Sequence, residues 1–234
     1  MSSISDNLQA VQQAINAAAT TVSRDPHAIT LLAVSKTFGI EAVLDAAQTG
    51  QRAFGENYVQ EAVDKITAAK ALAPTLDLEW HFIGPIQSNK TRLIAENFDW
   101  VHSVDREKIA LRLSEQRPPN LPPLNLCLQV NISGESSKSG AAITDTVALA
   151  RSIAALPGLR LRGLMAIPEP TDDIAQQRAA FAEVRDLFQQ CIDGGIAMDT
   201  LSMGMSADLS AAIAEGATIV RVGSAIFGKR TYAK

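Results

Sequence analysis

The sequence predicts an α/β fold: a parallel sheet of eight strands, closed as a TIM (β/α)8 barrel, with an extra helix at the N-terminus. Three observations predict it. Short apolar runs rich in Val, Ile and Leu recur along the chain, the pattern of strands buried on both faces. Segments with apolar residues at helical spacing separate them. Eight such units fit within about 200 residues, the lower size limit of this barrel. Strand–helix alternation calls for parallel strands joined by right-handed crossovers. An open doubly wound sheet is the alternative, weakened because no G-x-G-x-x-G follows any strand. No break in composition divides the 234 residues, so one domain over 1–234 is expected.

The elements follow in order. Leu8, Val11, Ile15, Ala18 and Val22 recur at helical spacing between Asp6 and Ser23, and give the extra helix. The first strand is Thr30 to Ser35, and a helix from Ile40 to Thr49 ends at Gly50, a C-cap glycine. A short second strand, Arg52 to Phe54, leads through Gly55-Glu56-Asn57 into a helix that reaches Leu72. The third strand is Glu79 to Ile83, and Ser88 is placed to cap a helix from Asn89 to Glu96. The fourth, Trp100 to Val104, precedes a helix capped by Asp105. The prolines of 118–123 exclude regular structure there. The fifth strand, Leu124 to Ile132, is followed by the polar loop 133–140 and a helix from Thr144 to Pro157-Gly158. The sixth strand is Leu161 to Ile167, and its helix runs from Asp173 to Ile192. The seventh is Thr200 to Met203, with Ser206 capping a helix that ends at Gly216. The eighth is Thr218 to Val222, and Ser224 starts a short last helix.

Composition excludes several functions. The formal charge of −4 argues against non-specific nucleic-acid binding and against attraction to anionic membranes. The N-terminus lacks the basic and apolar regions of a signal peptide, and no apolar stretch is long enough to span a bilayer. A cytoplasmic protein with two reduced, buried thiols, Cys127 and Cys191, is expected. His27, His81 and His102 show no metal-ligand spacing, and neither cysteine joins them, so no metal is predicted. G-x-S-x-G is absent.

In a barrel the chemistry gathers at the C-terminal ends of the strands. Lys36 closes the first apolar run. An amine beside apolar walls loses proton affinity, which makes Lys36 a candidate Schiff-base lysine; otherwise it extends into water. Gly204-Met205-Ser206 and Gly223-Ser224 close the seventh and eighth strands. They are either two ordinary helix caps or an anion site, since barrel phosphate sites often use these two loops. Arg221 shares a strand face with Ile219 and Gly223, and meets either a ligand acceptor or a neighbouring strand's acid. Glu56 and Asn57 follow the second strand; Asn57 either orients a ligand or starts a helix. Met165 is core packing or an apolar wall against a flat ligand. Lys90 and Lys138 are expected in water. A planar aldehyde with a phosphate tail would use Lys36, both glycine–serine loops and a partner for its ring nitrogen, and pyridoxal 5′-phosphate has that shape.

Several motifs carry a family resemblance over nearly the whole chain. They are Ala33-Val34-Ser35-Lys36-Thr37, the segment 54–61 (FGENYVQE), the highly specific segment 80–90 (WHFIGPIQSNK), Gly163-Leu164-Met165-Ala166, Ser202-Met203-Gly204-Met205-Ser206 and the segment 221–228 (RVGSAIFG). The chain resembles the pyridoxal phosphate homeostasis proteins, single-domain relatives of the alanine racemase barrel. The resemblance implies pyridoxal 5′-phosphate held on Lys36 as an aldimine, and Ser206, Gly223 and Ser224 around its phosphate. It implies Arg221 near the pyridine nitrogen, and Asn57 and Met165 along the ring. It implies buffering or delivery of the cofactor, with apo-enzymes as candidate recipients, effects on amino-acid metabolism and a monomer. Ala207 departs from the acidic residue often found after the serine matching Ser206, with Asp208 one position on. Two other readings remain: a pyridoxal-phosphate racemase, and a Schiff-base aldolase in which Lys36 attacks a sugar phosphate. Against a racemase, Tyr58 and Tyr232 are the only tyrosines, neither suited as a second base, and Lys234 leaves no room for the domain that supplies one.

Overall fold

All eight apolar runs form barrel strands. The computed structural model describes residues 3–133 and 139–228. The strands are β1 (Thr30–Val34), β2 (Ala53–Glu56), β3 (Glu79–Phe82), β4 (Trp100–Val104), β5 (Leu124–Asn131), the two-residue β6 (Ala141–Ala142), β7 (Leu159–Met165), β8 (Thr200–Ser202) and β9 (Ile219–Val222). All pair in parallel. β1 lies between β2 and β9, and β4–β5 pairing closes the ring, while β6 only extends the edge of β5. The barrel therefore has eight strands, as the sequence predicts.

Helices α1 (Ile4–Thr21), α2 (Ile40–Gln48), α3 (Val59–Leu72), α4 (Thr91–Asn97), α5 (Glu107–Gln116), α6 (Ile143–Ala154), α7 (Ile174–Asp193), α8 (Leu209–Ala214) and α9 (Ser224–Phe227) follow in turn. α1 is the extra helix. Ser3 and Asp6 close a capping box at its start, and Asn7 donates to the Ile226 carbonyl at 2.8 Å, which ties α1 to α9. Among the described residues no helix is long and apolar enough to cross a membrane.

Strand alternation divides the core in two. Leu31, Ala33, Phe54, Phe82 and Val220 face the helices in one large apolar cluster. Leu32, Ala53, Trp100, Cys127, Met165 and Ile219 form a smaller cluster inside the barrel. This second cluster does not fill the bore alone. His81, His102, Ser202 and Arg221 are also buried, and they bond to one another.

Some boundaries differ from expectation, each for a physical reason. The sixth barrel strand begins at Leu159 and ends at Met165, because β5 pairs with it from Leu124↔Leu159 onward. β2 continues through Glu56, whose charge disguises it as loop; its register with Phe82 and a lysine partner on α3 keep it in the strand. Ser88, Asp105 and Ser206 do not cap helices. Ser88 opens a one-turn 3₁₀ segment before α4, and the N-cap of α5 is Arg106. The N-cap of α8 is Asp208, whose carboxylate accepts from the Met205 N–H at 2.5 Å. That bond closes a tight turn and leaves Ser206 exposed at its corner. Lys138 and Tyr232 lie outside the described residues.

Candidate functional site

β1 presents Leu32, Val34 and Lys36 to the inside, so Lys36 rises at the barrel mouth. Ser35 points the other way and donates to Glu56 Oε1 at 2.6 Å. The chain then turns sharply. Thr37 has φ 70°, a left-handed conformation that a β-branched residue adopts only under constraint. Glu61 supplies the constraint by accepting the Thr37 N–H at 2.7 Å. Glu61 also pairs with Lys65 at 2.7 Å, and Lys65 Nζ donates to Ser35 O at 2.8 Å and Glu56 Oε1 at 2.7 Å. Burial pushes the Glu56 carboxyl above its usual range, and the Lys65 ammonium opposes the shift. Phe38, next on the turn, packs on Phe227 of α9 with ring centroids 5.3 Å apart.

Lys36 opens onto a cleft of about 330 Å³ at the C-terminal mouth. Asn57, Ser206, Arg221, Gly223 and Ser224 line it, so the barrel brings together six of the seven residues singled out for the cofactor. Met165 is the exception. It is 1% exposed in the cluster beneath, and the wall at that strand end is Ile167, two positions on and 50% exposed. Two steps along a strand keep the same face but raise the side chain to the next layer. Ile83 and Met205 complete the apolar walls. Gly223, just after β9, packs closely on β1: a Cβ there would lie 3.2 Å from the Val34 carbonyl oxygen.

Arg221 lies on the cleft floor, 5% exposed. Its partners are uncharged. Nη1 donates to Ser202 O at 2.6 Å and to Ser202 Oγ at 2.9 Å, and Nη2 donates to Ala166 O at 2.9 Å. Of the five guanidinium N–H groups, the Nε–H and one Nη2–H have no acceptor among the described residues. Burial pulls its pKa down to about 10, which still leaves a cation at neutral pH. Asn57 Oδ1 is buried without a hydrogen-bond partner among the described residues. An unmet acceptor and unmet donors beside an amine and apolar walls suit a flat polar ligand. These residues fit a planar phosphorylated aldehyde: the amine for its carbonyl, the arginine for a ring acceptor, Asn57 for a ring substituent, and the serine loops for the phosphate.

Sequence reasoning missed two networks. One is the Ser35–Glu56–Lys65–Glu61 set behind Lys36. The other descends from Arg221 through Ser202 and His102 to His81 and Glu79. A signal for the second exists, since His81 and His102 occupy inward positions of adjacent strands.

The family model for the alanine racemase N-terminal domain matches residues 6–231. The pyridoxal phosphate homeostasis protein of Pseudomonas aeruginosa is 60% identical over 232 residues, covering 99% of this chain and 98% of that protein. The chain belongs to the pyridoxal phosphate homeostasis protein family. A solved structure of one similar protein, PipY of Synechococcus elongatus with pyridoxal phosphate bound, superposes with a TM-score of 0.83 at 36% identity, covering 96% of this chain and all of that one. Alanine racemase from Corynebacterium glutamicum shares the fold with a TM-score of 0.71 at 15% identity, over 97% of this chain and 61% of the racemase.

Proposed function

We propose that this member of the pyridoxal phosphate homeostasis family binds pyridoxal 5′-phosphate on Lys36 and buffers or delivers it inside the cell. It does so as a carrier without efficient catalysis, in a single domain and as a monomer, and influences amino-acid metabolism through the enzymes supplied. The observation that carries the reading is the cleft itself. Lys36, Arg221 and the unmatched Asn57 oxygen converge there with the two serine loops. The cofactor, when bound, supplies an aldehyde able to condense with an amine. The protein's own residues do the rest. Lys36 shares the cleft with the apolar side chains of Val34 and Ile83 and would supply the amine that condenses with the aldehyde. Arg221 only donates, so a ring nitrogen facing it would stay unprotonated and act as a weak electron sink. Ser206, Ser224 and the backbone at Gly223 would take the phosphate, and Ile167 and Met205 would serve as apolar walls for the ring.

One observation favours the carrier over a racemase. Racemisation needs acid–base groups on both faces of the reacting carbon. Among the described residues, Lys36 and Arg221 are the titratable side chains lining the cleft, and a guanidinium at pKa about 10 is a poor base. The test is an absorption spectrum of the purified holoprotein before and after borohydride, alongside Lys36→Ala. A visible band that reduces to a stable adduct on Lys36, and is absent from the variant, supports the reading. An adduct on another lysine refutes the Lys36 assignment. Turnover of L-amino acids above roughly 1 per second, the low end for enzymes, refutes the carrier role.

A further inference from the structure

A line of hydrogen-bonding groups runs along the barrel bore from the cleft floor toward the foot. Arg221 Nη1 lies 2.9 Å from Ser202 Oγ, and Ser202 Oγ lies 2.7 Å from His102 Nδ1. His102 Nε2 is 2.9 Å from His81 Nδ1, and His81 Nε2 is 2.7 Å from Glu79 Oε1. Ser202, His102 and His81 are fully buried, whereas the Glu79 side chain is 48% exposed.

Donor chemistry orders this line. A guanidinium only donates, so Ser202 Oγ accepts from Arg221. The hydroxyl hydrogen then has one acceptor among the described residues, His102 Nδ1. A neutral imidazole that accepts at Nδ1 carries its proton on Nε2. His102 therefore donates to His81 Nδ1, and His81 donates from Nε2 to the Glu79 carboxylate. The reverse order requires a protonated Glu79 and leaves the Ser202 hydroxyl buried without an acceptor. The His81 bond holds the Glu79 carboxyl below its usual range, and burial holds the His102 imidazole well below its own, so both support the forward order. With His102 Nε2 protonated, a second proton on His81 Nδ1 would set two N–H groups against each other, and a second proton on His102 Nδ1 would take from the Ser202 hydroxyl hydrogen its one acceptor among the described residues. The other charged groups around the line are Arg162, 4.7 Å above the Trp100 ring that stacks on His81, Asp99 at the Trp80 N–H, and Asp208 near Arg221.

We propose that Ser202, His102, His81 and Glu79 are positioning residues for Arg221: a one-way relay of donors, both imidazoles neutral and protonated on Nε2, anchors the guanidinium and aims its remaining N–H groups into the cleft. The relay is a property of the unliganded chain. Its effect on cofactor binding rests on the function proposed above.

The test uses protein labelled with ¹⁵N in histidine and free of cofactor. The chain has three histidines, and exposed His27 is assigned by His27→Gln. At neutral pH the imidazole nitrogens of His81 and His102 should both report a protonated Nε2 and a bare Nδ1. A cationic ring, or Nδ1 protonation at either residue, overturns the proposal. Glu79→Ala, at the half-exposed end, should keep the fold and convert His81 to mixed tautomers. Ser202→Ala should disturb His102 in the same way and weaken pyridoxal phosphate binding by roughly tenfold or more, and Ser202→Thr should restore both. Unchanged tautomers in both alanine variants, or unchanged affinity in Ser202→Ala, overturn the positioning role. If the unsubstituted protein fails to bind pyridoxal phosphate, the function proposed above falls while the tautomer result stands.

Discussion

Replacing Lys65 by Met should be among the most destabilising single changes behind the cleft. Lys65 is 6% exposed and Glu56 is fully buried, at 2.7 Å. Glu56 Oε2 already lacks a partner among the described residues, so its charge rests on Lys65 and the Ser35 hydroxyl. Met keeps the volume of the stem and removes the cation, leaving an uncompensated buried carboxylate. Breaking a buried pair from one side costs about 3–5 kcal/mol. For a chain of this size that lowers Tm by roughly 6–20 °C. The sign of the pH dependence follows from Glu56. Its folded carboxyl already binds a proton more tightly than it would unfolded, and loss of Lys65 strengthens that preference. A carboxyl with a raised folded pKa adds stability fully present below its unfolded pKa, which is lost as pH rises through the folded value. Melting of Lys65→Met, followed by circular dichroism, should therefore fall more between about pH 5 and pH 8 than in the unsubstituted protein. Adding Glu56→Gln should recover part of the loss, with a coupling of about 0.5–3 kcal/mol. A Tm drop under about 2 °C, within the spread of ordinary surface substitutions, or a variant that melts independently of pH, would refute the reasoning.

Three further outcomes are expected. Gly163→Ala places a Cβ 1.7 Å from the Thr200 carbonyl oxygen and should push β8 off β7 at a cost of about 3 kcal/mol or more, measured as lost soluble yield and Tm; native stability would contradict the packing. Ser206→Ala should weaken pyridoxal phosphate binding roughly tenfold to a hundredfold, read by fluorescence titration. Gly223→Val should weaken it further, because a branched side chain blocks backbone approach, and an affinity equal to that of the unsubstituted protein would move the phosphate elsewhere. Cys127 is fully buried, with its thiol pushed up to about 12, and should resist a thiol reagent at pH 8 until the protein is denatured; rapid labelling of the native protein would show that the bore opens.

Much of the fold was legible because it depends on local periodicity. The runs at Leu31–Val34, Leu124–Val130 and Ile219–Val222 carry apolar residues on both faces, interrupted by Asn125, Gln129 and Arg221, and that pattern suits a parallel strand buried on both sides. Strand-end residues were legible for the same reason: once a run ends at Ser35, alternation alone puts Lys36 at the mouth. Boundaries that depend on a distant partner were not. Glu56 belongs to β2 only because Lys65 on α3 neutralises it, and β7 starts at Leu159 only because β5 reaches back to Leu124. Ser206 reads as a helix cap until Asp208 takes the Met205 N–H and moves the helix start. Met165 and Ile167 share a strand face, and only the depth of the barrel decides which of them meets the cleft. The relay beneath Arg221 draws one residue each from β4, β8 and β9 and two from β3, up to 142 positions apart in sequence — Glu79 to Arg221 — so its hydrogen bonds exist only when the ring closes. The sequence by itself determined that there are eight barrel strands and which residues of each share a face, since both follow from the apolar runs and the period of two along a strand. Only the tertiary structure decided which inward groups touch, because donor–acceptor contact within 3 Å is set by the register of neighbouring strands.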